Sequence, residues 1–371
     1  LVGINGTRAM TAFNSKTGGF HLTTVGRVQT PTLAIVVERE EKIKKFVARD
    51  YWEVHATFDA QAGQYVGRWF DEKFSKDKKE ADGELRAERL WDAALAEALK
   101  AKCLGKPGVV TEESKPSTQL SPLLYDLTSL QREANGRFGF SAKNTLGIAQ
   151  ALYEKHKVLT YPRTDSRALP EDYIGTVKKT LQAFGDTGYS TFAHQILQQD
   201  WVRPNKRIFN NAKVSDHFAI IPTSLLPKNL SEPEQKLYDL VTKRFLAVFY
   251  PAAEFLITTR ITRVEQEPFK TEGKILVNPG WMAVYGKEAQ TDDQNASLVP
   301  VQSGETVNTS QVDVHHHQTK PPPRYTEATL LSAMEGAGKL VEDEELREAM
   351  SAKGLGTPAT RAAVIEGLIH E

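Results

Sequence analysis

The residues most suggestive of chemistry lie in one ten-residue string, Val158 to Arg167. A proline follows Tyr161 and restricts it to an extended backbone, in which residues two apart point to the same face. Tyr161 and Arg163 are therefore expected to project together. A free phenol has a pKa of about 10, so a nucleophilic tyrosine benefits from a fixed cation at neutral pH, and an arginine fork also matches a phosphate. The pair suits attack on a phosphodiester.

The residues that follow this pair allow a simpler interpretation. Asp165 precedes Pro170, where an amphipathic helix is predicted to begin, with Val177 and Leu181 on its buried face. Asp165 therefore either supports the chemistry or serves a local turn or cap. A tyrosine considered alone is more often half-buried for packing than catalytic. The whole string, rather than Tyr161 by itself, carries the catalytic hypothesis.

Composition limits the class of protein. The chain has 371 residues, no net charge and a single cysteine, Cys103. This length predicts two to three domains, and one cysteine can form neither an intrachain disulfide nor a thiolate zinc cluster, which indicates a reducing, cytoplasmic compartment. The longest apolar run, 245–257, is too short for a membrane span and contains Glu254. Basic residues outnumber acidic ones in 1–49, 119–170 and 203–213, whereas 319–371 is acidic.

The elements around the string alternate between β-rich and helical blocks. Residues 51–70 predict a hairpin, and 255–285 a second β-rich block that includes an alternating strand at 257–264. The region between them, 119–250, is mainly helical, so the simplest architecture is a domain inserted into a β-domain. Pro and Gly content predicts loops at 100–118 and 265–280.

The end of the chain is predicted to be helical. Pro321–Pro323 forms a stiff joint, Thr326 can cap one helix, and Pro358 stands near the start of another. His315–His317 could suggest a metal site, but the triplet follows alternating valines and is better explained as the end of a strand.

The Tyr161 string resembles the active-site segment of type IA DNA topoisomerases, in the topoisomerase III branch. Further motifs of that family follow in the expected order; they are Val25–Pro31 with Val37–Glu40, Leu130–Ala134, Asp216–Thr223, Pro321–Leu330 and Gly354–Arg361. The resemblance spans nearly the whole chain, from Val25 to Arg361.

The resemblance implies a multi-domain α+β fold, the toroidal core of that family. Its parts would be a helical single-strand-binding domain (1–48 and 319–371), a β-rich arch (49–118 and 251–318) and an inserted winged-helix-like domain (119–250) carrying Tyr161. It also implies catalytic roles for Tyr161, Arg163 and His217, with support from Asp165. DNA contacts are expected from Arg27, Gln29, Gln131, Thr360 and Arg361. For His217 the alternative is a core histidine, and for Arg27 and Gln29 a solvated helix start.

In this family the tyrosine cleaves one DNA strand, a second strand passes, and the ester is resealed without ATP; no Gly-x-x-x-x-Gly-Lys-(Ser/Thr) loop occurs here. The expected partners are single-stranded DNA and negatively supercoiled or catenated DNA. The family binds Mg²⁺ through an N-terminal Toprim domain with an Asp-x-Asp-x-Glu set, and the sequence contains no Asp-x-Asp. The chain is thus predicted to be a fragment without Toprim, with no metal ligands of its own, that binds single strands but cleaves them poorly.

Two rivals remain at this point. One is a non-catalytic DNA-binding protein in which the helices around 141–154 form a helix-turn-helix and Tyr161 merely packs. The other is a tyrosine recombinase, which would place its tyrosine late in the chain and its Arg and His partners upstream.

Overall fold

The computed structural model describes residues 1–75, 82–289, 298–337 and 354–370. The chain divides into two compact units, each built from separate stretches of sequence. The helical unit comprises Leu1–Lys45, Pro122–Tyr250 and Pro322–Glu371, and the barrel unit comprises Phe46–Ser121 and Pro251–Pro321. Parts of the expected arch and tail segments, 76–81, 290–297 and 338–353, lie outside the described residues. The predicted division into five segments stays a prediction.

The elements follow one another in mixed order. The α-helices are α1 Val2–Asn14, α2 Gln29–Lys44, α3 Ala93–Cys103, α4 Leu127–Phe138, α5 Ala142–Glu154, α6 Ile174–Ala183, α7 Ser190–Gln198, α8 Glu232–Ala247, α9 Glu327–Glu335 and α10 Pro358–His370. The strands are β1 Asp50–Ala60, β2 Gly63–Trp69, β3 Pro107–Gln119, β4 Ala253–Val264, β5 Glu267–Asn278 and β6 Thr306–Gln318. Short 3-10 helices occupy Glu171–Tyr173, Asn211–Lys213 and Gly280–Ala289.

The strands of the barrel unit form a closed antiparallel barrel in the order β1-β2-β5-β4-β3-β6. Alternate residues of β1 point inward, and Val54, Ala56 and Phe58 have no exposed surface. On β4 the inward residues include Arg260, which is 1% exposed and paired with Glu112 at 2.8 Å. Burying a charge is costly unless it is paired, so this ion pair is what makes an arginine tolerable inside the barrel.

The predicted hairpin and the strand at 257–264 are confirmed by β1, β2 and β4. The prediction of loops at 100–118 and 265–280 is wrong, because these residues contribute β3 and β5. The prediction for 100–118 relied in part on Pro116, which lies within β3. Pro116 pairs with Leu256 of β4 on one side, whereas the pairing of β3 with β6 on the other side covers only Pro107–Val109. A proline is tolerated in a strand where its missing N–H would face no partner strand.

The core of the helical unit packs α4, α5 and α8 around two extended segments. Its buried members include Leu130, Leu152, Leu159, Ile220 and Val241. A second core joins α2 to α9 and α10 through Ile35, Leu331 and Ile365, among others. Here the sequence-based assignments hold: Thr326 accepts a hydrogen bond from the Thr329 N–H and caps α9, and α10 begins at Pro358. His315–His317 lies in β6, near its end.

One contact fixes the end of α5 against the start of α8. His156, just after α5, lies 3.1 Å from Oε1 of Glu234. The backbone N–H and hydroxyl of Ser231, which precedes α8, donate hydrogen bonds to the other carboxylate oxygen at 2.7 Å. These Ser231 hydrogen bonds, with a smaller contribution from His156, lower the pKa of Glu234 to about 2.

A depressed carboxyl pKa stabilises the fold above the unfolded-state pKa, and that stabilisation is lost as the pH falls toward the folded-state value. Glu234→Gln should therefore lower the free energy of unfolding by about 1 kcal/mol at pH 6, and the deficit should shrink between about pH 4.5 and about pH 2. Urea unfolding across this range tests it, with exposed Glu97→Gln as the control. A deficit that does not change with pH would contradict the assignment.

Candidate active site

The backbone just before Tyr161 is fixed by pairing with residues 219–223. The Thr160 N–H donates to the Ile221 carbonyl, and the Thr223 N–H donates to the Val158 carbonyl, both at 2.9 Å. The Thr160 hydroxyl adds a bond to the Ala219 carbonyl at 3.0 Å. Two segments about 60 residues apart in sequence, a separation of the kind that only tertiary structure bridges, thus form a short extended pair that ends at Tyr161.

Burial alternates along the string from Tyr161 to Ser166. Pro162, Thr164 and Ser166 are buried, whereas Arg163 and Asp165 are exposed and Tyr161 is partly exposed. This period of two is what an extended backbone produces. Tyr161 and Arg163 therefore lie on the same, open face.

The buried hydroxyls of the string fasten it to the segment that carries His217. The Thr164 hydroxyl donates to the His217 carbonyl at 3.1 Å, and the Ser166 hydroxyl donates to the Lys213 carbonyl at 2.7 Å. Buried hydroxyls are costly unless they are hydrogen-bonded. Here each one also satisfies a carbonyl, so the small polar residues between Tyr161 and Arg167 hold two segments together.

His217 packs directly against Tyr161. The two ring centroids are 4.3 Å apart, with the ring planes tilted by 45°. His217 is exposed, and Asp165 accepts a hydrogen bond from Ser215 at 3.4 Å. The structure thus brings together Tyr161, Arg163, Asp165 and His217, the residues for which the sequence suggested catalytic roles.

A cleft of about 160 Å³ opens beside this cluster. It is lined by Arg163, Asp165, Asp216 and His217, and on its other side by Thr357–Ala359 at the N-terminus of α10. The N-terminus of a helix carries partial positive charge and favours anions. An arginine, a histidine and a helix N-terminus facing one small cleft can hold a phosphate, while the two aspartates keep the positive charge local.

The residues predicted to contact DNA fall into two groups. Arg27 and Thr360 are exposed, and Gln29, the first residue of α2, is partly exposed. Thr360 accepts a hydrogen bond from the Thr357 N–H at 2.9 Å and so helps to cap α10. These three positions are compatible with a surface role.

The other two side chains, those of Gln131 and Arg361, are buried inside the helical unit. Gln131 has no exposed surface, and its Nε2 donates to the Ala142 carbonyl at 2.9 Å. Arg361 is 3% exposed and donates to the carbonyls of Leu355 and Gly356 and to the Thr128 hydroxyl. Burial lowers the pKa of Arg361. Both side chains tie separate segments of the helical unit together instead of facing solvent.

The sequence motifs did not identify Asp126 and Leu127, at the start of α4, as residues that position the tyrosine string. Asp126 caps α4 by accepting from the Ser129 N–H at 2.7 Å, and it also accepts from Arg167 at 2.8 Å. The Leu127 N–H donates to the Thr164 carbonyl at 3.0 Å. The end of the tyrosine string is therefore anchored on the N-terminus of α4. The cap itself was detectable, since Asp at an N-cap three residues before a polar partner is a common helix start.

The site residues do not themselves form a metal centre. In the ranges that the structure describes, no three His, Cys, Asp or Glu side chains are grouped as ligands for an ion. Mg²⁺ prefers several oxygen ligands in octahedral geometry, and the cleft offers two carboxylates beside an arginine. This lining does not match the ligand set of a Mg²⁺ site. Nor is any helix in the described part long and apolar enough to cross a bilayer.

Comparison with known proteins identifies the family. A family model described as DNA topoisomerase matches residues 1–371. The chain belongs to the type IA DNA topoisomerases. The family resemblance inferred from the Tyr161 string is thereby confirmed.

Relatives and a solved structure agree with this membership. The chain is 40% identical to DNA topoisomerase 3 of Bacillus subtilis (strain 168) and 41% identical to that of Bacillus licheniformis. Both comparisons cover 100% of the chain and 49% of the relative, so this topoisomerase chain spans about half the length of these relatives. Full-length topoisomerase I from Thermotoga maritima shares the fold, with a TM-score of 0.68 at 22% identity, over 100% of this chain and 54% of that one.

The interior position of Arg361 gives a test. Arg361→Met keeps an apolar stem of similar length but leaves the Leu355 and Gly356 carbonyls and the Thr128 hydroxyl without their donor. Because an unsatisfied buried polar group costs about 1–3 kcal/mol, urea unfolding should show a loss of at least about 2 kcal/mol. Arg361→Lys should fall between, since one ammonium cannot replace the guanidinium fork.

Exposed Arg8→Met is the matched control for the Arg361 variants. Unchanged stability in Arg361→Met, together with weaker DNA binding, would instead support the DNA contact that the family resemblance implies for Arg361.

Proposed function

We propose that Tyr161 is the nucleophile that cleaves and reseals one DNA strand. The phenolic oxygen attacks a backbone phosphorus, the bond from phosphorus to the 3′ oxygen breaks, and the phenolic proton leaves as the 3′ hydroxyl forms. The product is a 5′-phosphotyrosine. The packing of Tyr161 against His217, beside the cleft lined by Arg163, is the observation that carries this proposal.

The neighbouring residues have complementary roles in this scheme. Arg163 and the N-terminus of α10 stabilise the charge on the phosphate, because fixed donors aimed at developing charge lower the barrier. His217 lines the same cleft, so it can donate a hydrogen bond to a phosphate held there or move a proton. Asp165 orients its neighbours through Ser215. Arg27, Gln29 and Thr360 contact the strand on either side.

The overall reaction would need no nucleotide. The phosphotyrosine ester conserves the energy of the phosphodiester, so the 3′ hydroxyl can reverse the attack after another strand has passed. The substrates would be single-stranded regions of negatively supercoiled or catenated DNA, and the outcome relaxation or decatenation. The names of the Bacillus relatives support the topoisomerase III assignment. Family membership also favours this scheme over a helix-turn-helix protein in which Tyr161 only packs.

The metal requirement is assigned to a part of the protein outside this chain. We propose that Mg²⁺ is bound by a Toprim domain, which supplies charge neutralisation at the phosphate when present. The chain described here would then bind single-stranded DNA through its basic surfaces but have little cleavage activity.

A trapping experiment tests the nucleophile. Full-length protein with its Toprim domain is mixed with Mg²⁺ and single strands labelled at the 5′ or the 3′ end, then denatured. The protein should retain the DNA through a 5′ phosphate, and Tyr161→Phe should retain none because the ring remains while the attacking oxygen is lost. Tyr51→Phe, in the barrel unit, is the matched control. Attachment through a 3′ phosphate would instead indicate recombinase-like chemistry.

The limits of this chain can be tested separately. The 371-residue chain should bind a single strand, with an affinity that falls as salt rises, and should leave supercoiled plasmid unrelaxed in Mg²⁺. Gel assays of relaxation and fluorescence anisotropy measure both properties. Mg²⁺-dependent relaxation by this chain would show that the assignment of the metal to a missing domain is wrong.

A further inference from the structure

We propose that a groove beside Tyr161, lined by none of the residues of the phosphate cleft, binds one unstacked base of the single strand. We name it the aromatic groove; Tyr153, Lys157, Tyr161 and Phe218 line it, and its volume is about 630 Å³. Volumes of this order accommodate small-molecule ligands. The inference rests on the proposed function, because its ligand is the strand that Tyr161 would cleave.

The groove presents aromatic surface beside the candidate nucleophile. Tyr153 meets Tyr161 edge to face, with ring centroids 5.4 Å apart, and is 37% exposed. Phe218 is partly exposed and is supported from behind by Tyr173 at 4.8 Å. Proteins that bind single strands without strong sequence preference use such aromatic side chains as stacking platforms. A base is therefore the ligand that this surface fits.

Lys157 adds a cation at an unusual backbone conformation. Its φ is 56°, in the left-handed region that favours glycine. The conformation is held by the Thr223 hydroxyl, which donates to the Lys157 carbonyl at 2.8 Å, and by the Val158 N–H, which donates to the Leu152 carbonyl. Helices commonly end with a residue in this conformation, and α5 ends just before Lys157. The conformation places a lysine beside the aromatic rings, where it can bind the backbone of the strand.

Two consecutive residues line different cavities, one the phosphate cleft and the other the aromatic groove. His217 lines the cleft and Phe218 lines the groove, as expected for neighbours in an extended segment. Tyr161 contacts His217 and also lines the groove. One nucleotide carries its phosphate and its base on different sides of the sugar, so the cleft and the groove can hold both parts of a single nucleotide, with Tyr161 between them.

Abasic scanning tests the base site. The 371-residue chain is titrated by fluorescence anisotropy against labelled strands of about eight nucleotides, close to a single-strand site size. Each strand lacks the base at one position. One position should weaken binding by about 5- to 100-fold. Tyr153→Leu should weaken binding of the intact strand similarly and abolish the extra effect of the abasic position, whereas Tyr153→Phe should behave like the parent chain.

Lys157→Gly provides an independent arm. Glycine suits the left-handed conformation, so the urea midpoint should hold or rise, while binding weakens and the salt dependence of log K falls by about 0.7. Lys155→Ala, nearby at the end of α5, is the control. This arm keeps the proposal testable if Tyr153→Leu fails to fold.

The outcomes separate the two proposals. Strand binding that is indifferent to every abasic position and to both Tyr153→Leu and Lys157→Gly would overturn the aromatic groove and leave the proposed function standing. A folded chain that binds no single strand at all would overturn both.

Discussion

The candidate site depends on the hydrogen-bonded pairing between residues 158–160 and 219–223. This pairing makes the backbone before Tyr161 extended, and Pro162 keeps it so. Every later feature follows from that conformation, since an extended chain sends neighbouring residues to opposite sides. In a helix, Tyr161 and Arg163 would point about 200° apart. The pairing is long-range, so the site exists only when the core of the helical unit is formed.

The buried half of the string explains how an exposed active face is kept rigid. Thr164 and Ser166 bond backbone carbonyls of the segment around His217, and the Leu127 N–H bonds the Thr164 carbonyl. Asp126 then links Arg167 to the N-terminus of α4. The exposed side chains of Tyr161 and Arg163 therefore need no contact with each other to stay in place, because the buried residues hold the backbone that carries them. Preorganisation of this kind is what electrostatic stabilisation of a reacting phosphate requires.

Much of the fold and of the candidate site could be predicted from local sequence. The features that could not be predicted all depend on tertiary contacts. The period of two after Tyr161, the hairpin, the cap at Thr326 and the helix start at Pro358 depend on local backbone preferences, which the sequence displays directly. The interior positions of Gln131 and Arg361 could not be predicted in this way, because the sequence does not show whether a polar side chain bonds water or a buried carbonyl. Likewise, Pro116 is tolerated in β3 because the pairing of β3 with β6 does not extend to it, and that pairing is set by the whole barrel. The sequence alone therefore indicates local backbone conformation, whereas the hydrogen-bond partner of each polar group is set by tertiary structure.

The zero net charge of the chain also has a physical consequence at the site. A uniformly basic surface would attract DNA anywhere, whereas here Arg163 and the N-terminus of α10 face a small cleft that also contains Asp165 and Asp216. The aspartates offset part of the attraction. A phosphate is therefore bound most strongly where it contacts the arginine and the N-terminus of α10 together. Beside this cleft the aromatic groove offers ring surface for stacking, which gives little to duplex DNA because the bases of a duplex are already stacked. The two surfaces around Tyr161 therefore match a single strand with a free base next to the phosphate, the substrate of the reversible cleavage that we propose for Tyr161.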